Sequence, residues 1–274
     1  GLCVLLGGCG GCNDSARAPD PRAYVLTTET IKVGARSRSF VLSVPTTYDE
    51  SNKQKSYPLV YVMHGDGGNG AALQKLVRFE DTSKDEAILV FPDGEYATWD
   101  LYGALATNKD VAFIDELTTS LASRFAIDKK RVFMWGYSNG AFFANQLACR
   151  KPGLLRAIAA QGGGAPYEPP ENNTGKWPNG YPKCVPNEAA VSAIVFHGTA
   201  DTTVTFDSGQ FSAEYWRYVG ECKTTSTDVA PSPCKKFDGC AGNTSVVFCA
   251  IPGAGHEVWP EAVRASWNFF QTYR

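Results

Sequence analysis

The sequence has very little with which to hold a metal ion. Histidine occurs three times in 274 residues, as His64, His197 and His256, and no His-x-Glu-x-x-His run is present. The nine cysteines lack the matched close pairs that a structural zinc site uses. No metal and no other cofactor are expected. An excess of one charge is also missing: 26 Lys and Arg stand against 28 Asp and Glu, and no basic run breaks the balance. That argues against a nucleic-acid partner. After residue 12 no apolar run approaches the roughly 18 residues of a membrane span, so no transmembrane segment is expected. There is no internal repeat and no sign of a second domain. What remains, at 43% hydrophobic residues, is a chain long enough to bury a large core in one unit.

Cysteine is abundant for a cytosolic enzyme. Cys3, Cys9 and Cys12 fall in the first twelve residues, and the other six are Cys149, Cys184, Cys222, Cys234, Cys240 and Cys249. An even number, four of them crowded into residues 222–249, reads as a disulfide framework made in an oxidising compartment. Many connectivities fit six cysteines; the expected one pairs Cys149 with Cys184, Cys222 with Cys240 and Cys234 with Cys249. Residues 1–12 end in small residues, as an export leader does. Within them Leu6-Gly7-Gly8-Cys9 resembles a lipoprotein cleavage signal, which makes Cys9 a candidate lipid anchor. Residues 13–23 are polar and contain proline, as a linker would. The expected division is a leader and linker over 1–23 and a catalytic domain over 24–274, either secreted or held at the cell surface or in the periplasm. The sequons at Asn172 and Asn243 have meaning only in a eukaryotic host.

Along the domain, Thr30–Val33 and Arg38–Pro45 alternate as exposed antiparallel strands do. Continuous apolar runs at 57–63, 87–92, 131–135, 155–160, 193–196 and 245–251 suit central strands covered on both faces. Helical spacing of apolar residues marks 71–85, 110–125, 141–149, 211–220 and 260–270. Strands alternating with helices behind two antiparallel strands predict a doubly wound, mostly parallel α/β sheet. Residues 165–191 show no period and are rich in Pro, Asn and Gly, and so long a loop in a compact domain is usually functional.

The chain is organised around Gly136-Tyr137-Ser138-Asn139-Gly140, which follows a buried strand and opens a helix. The glycines permit a turn so tight that the Ser138 hydroxyl projects above the sheet, as a nucleophile elbow requires. A serine becomes nucleophilic at neutral pH only beside a base. His256 is the one histidine after the last expected strand, and Asp201 ends a strand where it can orient that ring. Asp207 is the alternative acid. The backbone N–H groups of Asn139 and Asp66 are the candidate oxyanion donors, with Gly67 competing for the second position. His64 and His197 are expected to hold loops by local hydrogen bonds. Trp99 and Trp259 are the candidate substrate contacts, and Trp135 is expected in the core.

Taken together, Gly136-Tyr137-Ser138-Asn139-Gly140, His197-Gly198-Thr199-Ala200-Asp201, Gly255-His256-x-x-Trp259-Pro260 and His64-Gly65-Asp66-Gly67-Gly68 resemble the secreted esterases of carbohydrate esterase family 1. These comprise feruloyl esterases, acetylxylan esterases and related polyhydroxybutyrate depolymerases. The resemblance covers about residues 35–274 and implies an α/β-hydrolase fold with a Ser-His-Asp mechanism acting on an ester substrate, polymeric in kind. Tyr167, Trp177, Trp99 and Trp259 could line an aromatic cleft, which ranks feruloyl esters of plant polysaccharide first, polyesters second and acetylxylan third. A peptidase of the same fold would be expected to carry a large extra domain. A non-catalytic binding protein would be expected to have lost a member of the triad.

Overall fold

The computed structural model describes residues 23–52, 54–167 and 174–273. The leader, most of the linker, Cys3, Cys9, Cys12 and Asn172 lie outside the described residues. The chain forms β1 (Tyr24–Val33), β2 (Arg36–Pro45), β3 (Tyr57–Met63), α1 (Gly70–Val77), α2 (Phe79–Ser83), β4 (Ile88–Pro92), α3 (Lys109–Arg124), β5 (Ile127–Tyr137), α4 (Asn139–Arg150) and β6 (Ala157–Gln161). Then follow β7 (Ser192–Gly198), α5 (Phe206–Val219), β8 (Ser226–Asp228), β9 (Cys234–Phe237), β10 (Val246–Ile251) and α6 (Ala262–Phe270). One ten-stranded sheet runs in the order β1-β2-β4-β3-β5-β6-β7-β10-β9-β8. The six strands from β4 to β10 in that order are mutually parallel, and the pairs at either end are antiparallel.

The continuous apolar runs become strands buried on both sides because the pleat sends alternate residues to opposite faces. In β3, Tyr57, Leu59, Tyr61 and Met63 enter one core with residues of α3, α4 and α5. Val60 and Val62 enter the other, with residues of α1, α2 and α6. The fold is that of an α/β-hydrolase.

Three local departures from the sequence reading have physical causes. The helix expected over 71–85 is broken at Arg78, which adopts φ 43° and separates α1 from α2; the break sends Phe79 into the core against Trp267, with ring centroids 6.3 Å apart. Helix α5 starts at Phe206, five residues before the apolar stripe that marked it, and its extra first turn packs so closely on β7 that Gly209 lies against the His197 ring where no side chain fits. Strands β8 and β9 are short and polar, so they carry no apolar alternation to reveal them. The disulfides are Cys149–Cys184, Cys222–Cys240 and Cys234–Cys249. The last joins directly opposed residues of β9 and β10. Residues 174–191 contain no regular strand or helix, only an isolated bridge between Lys176 and Pro182.

Candidate active site

Ser138 occupies the turn between β5 and α4 at φ 52° and ψ −121°, a backbone state that costs a non-glycine residue on the order of 1–3 kcal/mol. The flanking glycines make the turn sterically feasible. A Cβ on Gly136 would lie 2.3 Å from the Gly140 carbonyl oxygen, and one on Gly140 would lie 2.5 Å from that of Met63. The Ser138 N–H donates to the Gln161 carbonyl at the end of β6 (2.9 Å), which fixes the elbow to its neighbouring strand.

The loop after β10 brings His256 over this turn. Its Nε2 lies 2.8 Å from Ser138 Oγ, and its Nδ1 lies 2.7 Å from Asp201 Oδ2 in the loop after β7. An ionised carboxylate can only accept, so Nδ1 carries the proton and Nε2 is free to accept from the serine hydroxyl. Asp201 is 6% exposed, and its other oxygen accepts from the N–H groups of Thr203 and Val204, each at 2.9 Å. Burial pushes this carboxyl up, but the His256 hydrogen bond and the two backbone donors outweigh it, leaving the group below its ordinary range. Asp207, the alternative acid, is exposed in the first turn of α5.

Gly65 lies against Ser138, where a Cβ would approach the serine Cβ to 3.2 Å. The Gly67 N–H is committed to the Ala97 carbonyl (2.8 Å), which removes it from the oxyanion position. Among the described residues the N–H groups of Asp66 and Asn139 have no protein acceptor. The latter stands at the positive end of α4. His64 is buried; it donates from Nδ1 to the Gly65 carbonyl (2.7 Å) and accepts at Nε2 from the Gly94 N–H (2.9 Å). Its pKa is lowered, chiefly by burial. His197 donates from Nε2 to the Val204 carbonyl (2.8 Å) and lies 3.4 Å from Asp201 Oδ2. Both therefore brace loops.

Trp99 is not a surface substrate contact. It is 2% exposed, its ring is stacked 5.3 Å from that of Phe143, and its indole N–H donates to the His64 carbonyl (2.9 Å). Its backbone N–H donates to Asn139 Oδ1 (2.7 Å), so this residue ties the Asp66 loop to the elbow. Trp259 is half-buried with its ring 5.8 Å from Phe196, and Trp135 is buried. Two supporting residues escaped the sequence reading. The Tyr137 hydroxyl donates to the His256 carbonyl. Gln161 donates from Nε2 to the Glu257 carbonyl (3.2 Å) and accepts at Oε1 from the Trp259 N–H (3.4 Å). Tyr137 stands beside the serine in the motif itself, but nothing in the spacing distinguishes Gln161. Among the described residues, the cluster able to offer three metal donors is Cys149, Cys184 and Glu188, and its two sulfurs are joined to each other.

The chain is 28% identical over 250 residues to the protein named Probable feruloyl esterase C of Aspergillus niger, covering 85% of this chain and 83% of that one. It is 25% identical over 275 residues to feruloyl esterase D of Neurospora crassa, covering 90% and 86%. The chain is thus similar to proteins named feruloyl esterases along most of its length. No protein-family model matches it. The chain superimposes on the solved acetyl xylan esterase from Aspergillus awamori with a TM-score of 0.68 at 17% identity, covering 90% of this chain and 99% of that structure. That likeness extends to the fold. Among its described residues no helix is long and apolar enough to cross a membrane.

Proposed function

We propose that this chain is an exported serine carboxylesterase that cleaves feruloyl (hydroxycinnamoyl) esters of plant polysaccharide through an acyl-enzyme on Ser138. The observation that carries the reading is the continuous contact from Ser138 Oγ through His256 to Asp201. His256 Nε2 takes the hydroxyl proton as Oγ attacks the ester carbonyl, and Asp201 stabilises the imidazolium that forms. The N–H groups of Asn139 and Asp66 receive the oxyanion of the tetrahedral intermediate. His256 then returns the proton to the departing sugar hydroxyl. A water activated by the same ring releases the aromatic acid and restores Ser138. The feruloyl preference rests on the relatives' names, and export rests on the three disulfides.

Hydrolysis of methyl ferulate, p-nitrophenyl acetate and a polyhydroxybutyrate suspension by wild type and Ser138→Ala tests this. The wild type is expected to cut methyl ferulate, with kcat in the variant lower by about 10⁴-fold or more. Clearing of the polyester with ferulate untouched would transfer the assignment to a depolymerase.

A further inference from the structure

Helix α4 carries the elbow at one end and an unusual load along its length. Gln146 and Arg150 are each 3% exposed, yet neither touches the Ser138–His256–Asp201 chain. Gln146 donates from Nε2 to the Leu101 carbonyl (3.1 Å) and accepts at Oε1 from the Tyr167 N–H (3.2 Å). Arg150 donates to the Gly103 carbonyl (2.9 Å). Buried polar side chains are thus fixing the two segments that bear Tyr102 and Tyr167. The Tyr102 and Tyr167 rings stack at 6.1 Å with planes 16° apart, and Tyr167 stacks in turn at 5.8 Å on Phe142. Phe142 is four residues after Ser138 and donates its N–H to the Ser138 carbonyl (3.1 Å), which places it one helical turn from the nucleophile. Behind it, a Cβ on Gly164 would lie 2.9 Å from the Phe142 ring, so the segment leaving β6 presses directly on that side chain.

The outermost ring is left in water. Tyr102 is 66% exposed, although an ordered aromatic stack would normally be buried. From Phe142 on the helix that Ser138 opens, the stack steps 5.8 Å to Tyr167 and 6.1 Å on to Tyr102, and exposure rises along it from the half-buried Phe142 and Tyr167 to the exposed Tyr102. We infer that Tyr102 and Tyr167 form a platform for the sugar rings of the esterified polysaccharide, on the alcohol side of the scissile bond. The assignment rests on the esterase reading above and adds to it the part of the substrate that these residues hold. Pyranose rings present flat C–H faces that stack on an aromatic face, and the two phenol hydroxyls can hydrogen-bond to sugar hydroxyls at the platform's edge.

The test compares Tyr102→Ala with wild type on a feruloylated arabinoxylo-oligosaccharide and on methyl ferulate. Loss of one stacking contact should raise KM for the oligosaccharide ester about threefold to tenfold, while kcat/KM on methyl ferulate stays unchanged. Equal losses on both esters would place the ladder on the acyl side and overturn the proposal; no loss on either would make the stack purely structural and overturn it as well. A second arm needs no hydrolysis. Ester-free arabinoxylo-oligosaccharide is titrated calorimetrically into the Ser138→Ala protein, with and without Tyr102→Ala. Weaker binding in the double variant upholds the platform even if wild type cuts no ester, an outcome that would sink the esterase reading alone.

Discussion

The indole N–H of Trp99 reaches the His64 carbonyl while the same residue's backbone N–H reaches Asn139 Oδ1. One residue therefore sets the relative position of the two strand-end loops whose N–H groups would meet the oxyanion. Trp99→Phe keeps the ring stacked on Phe143 but leaves the buried His64 carbonyl unpaired, a loss of about 1–3 kcal/mol in local order. Oxyanion contacts strengthen only in the transition state. The variant should thus lose about tenfold in kcat on methyl ferulate with KM nearly constant. Unchanged kcat beside a lowered melting temperature would reduce Trp99 to a packing residue. At this scale Ser138 and His256 were legible because glycines bracket them, and Asp201 because it ends an apolar run. Trp99 was misread because a loop tryptophan looks the same in sequence whether its ring faces water or the core. Gln161 was illegible, since its two contacts are with residues almost a hundred positions away.

The elements follow the same division. Central strands such as β3 announced themselves by unbroken apolar runs, whereas β8 and β9 are held by pairing onto β10 and by two disulfides, Cys234–Cys249 within the ladder and Cys222–Cys240 across the base of the hairpin. Helix α2 is a sharper case, because the break at Arg78 buries Glu80 to 1% exposure. Its Oε1 accepts from Gln74 Nε2 at 3.3 Å, and its Oε2 has no partner among the described residues. Burial pushes this carboxyl up to about 7 from an ordinary 4.5. The folded state then keeps a proton that the unfolded chain has released, so stability is fully present below pH 4.5 and falls as pH rises toward 7. Glu80→Gln mimics the protonated group at every pH. It should match wild type in unfolding free energy near pH 4.5 and exceed it at pH 8 by on the order of 3 kcal/mol, as read from urea unfolding. Parallel pH profiles for the two proteins would show that Glu80 ionises in the fold as it does in the unfolded chain, and that burial does not raise it.

Across the whole molecule, residues 174–191 have almost no regular structure of their own, so their position depends on tethers. Two are visible. Cys184 is bonded to Cys149 on α4, and Glu188 accepts from the Tyr215 hydroxyl of α5 at 2.6 Å and from the Cys184 N–H at 3.0 Å. The disulfide spans 35 residues, and that span includes β6, whose Gln161 contacts both the Ser138 N–H and the loop bearing His256. Closing a loop of that size restricts the unfolded chain by about 3–4 kcal/mol on the entropic account. The double variant Cys149→Ala/Cys184→Ala leaves no free thiol at the site and should lower unfolding stability by about that amount, seen as a lower urea midpoint with a slope equal to or steeper than wild type, because the uncrosslinked unfolded chain exposes more surface. Because Glu188, Tyr215 and the β6 ladder remain, methyl ferulate turnover at 25 °C should persist in the folded fraction. A midpoint shift below about 1 kcal/mol equivalent would mean that the Glu188–Tyr215 bond already holds the segment in place and that the unfolded chain gains little from the cut.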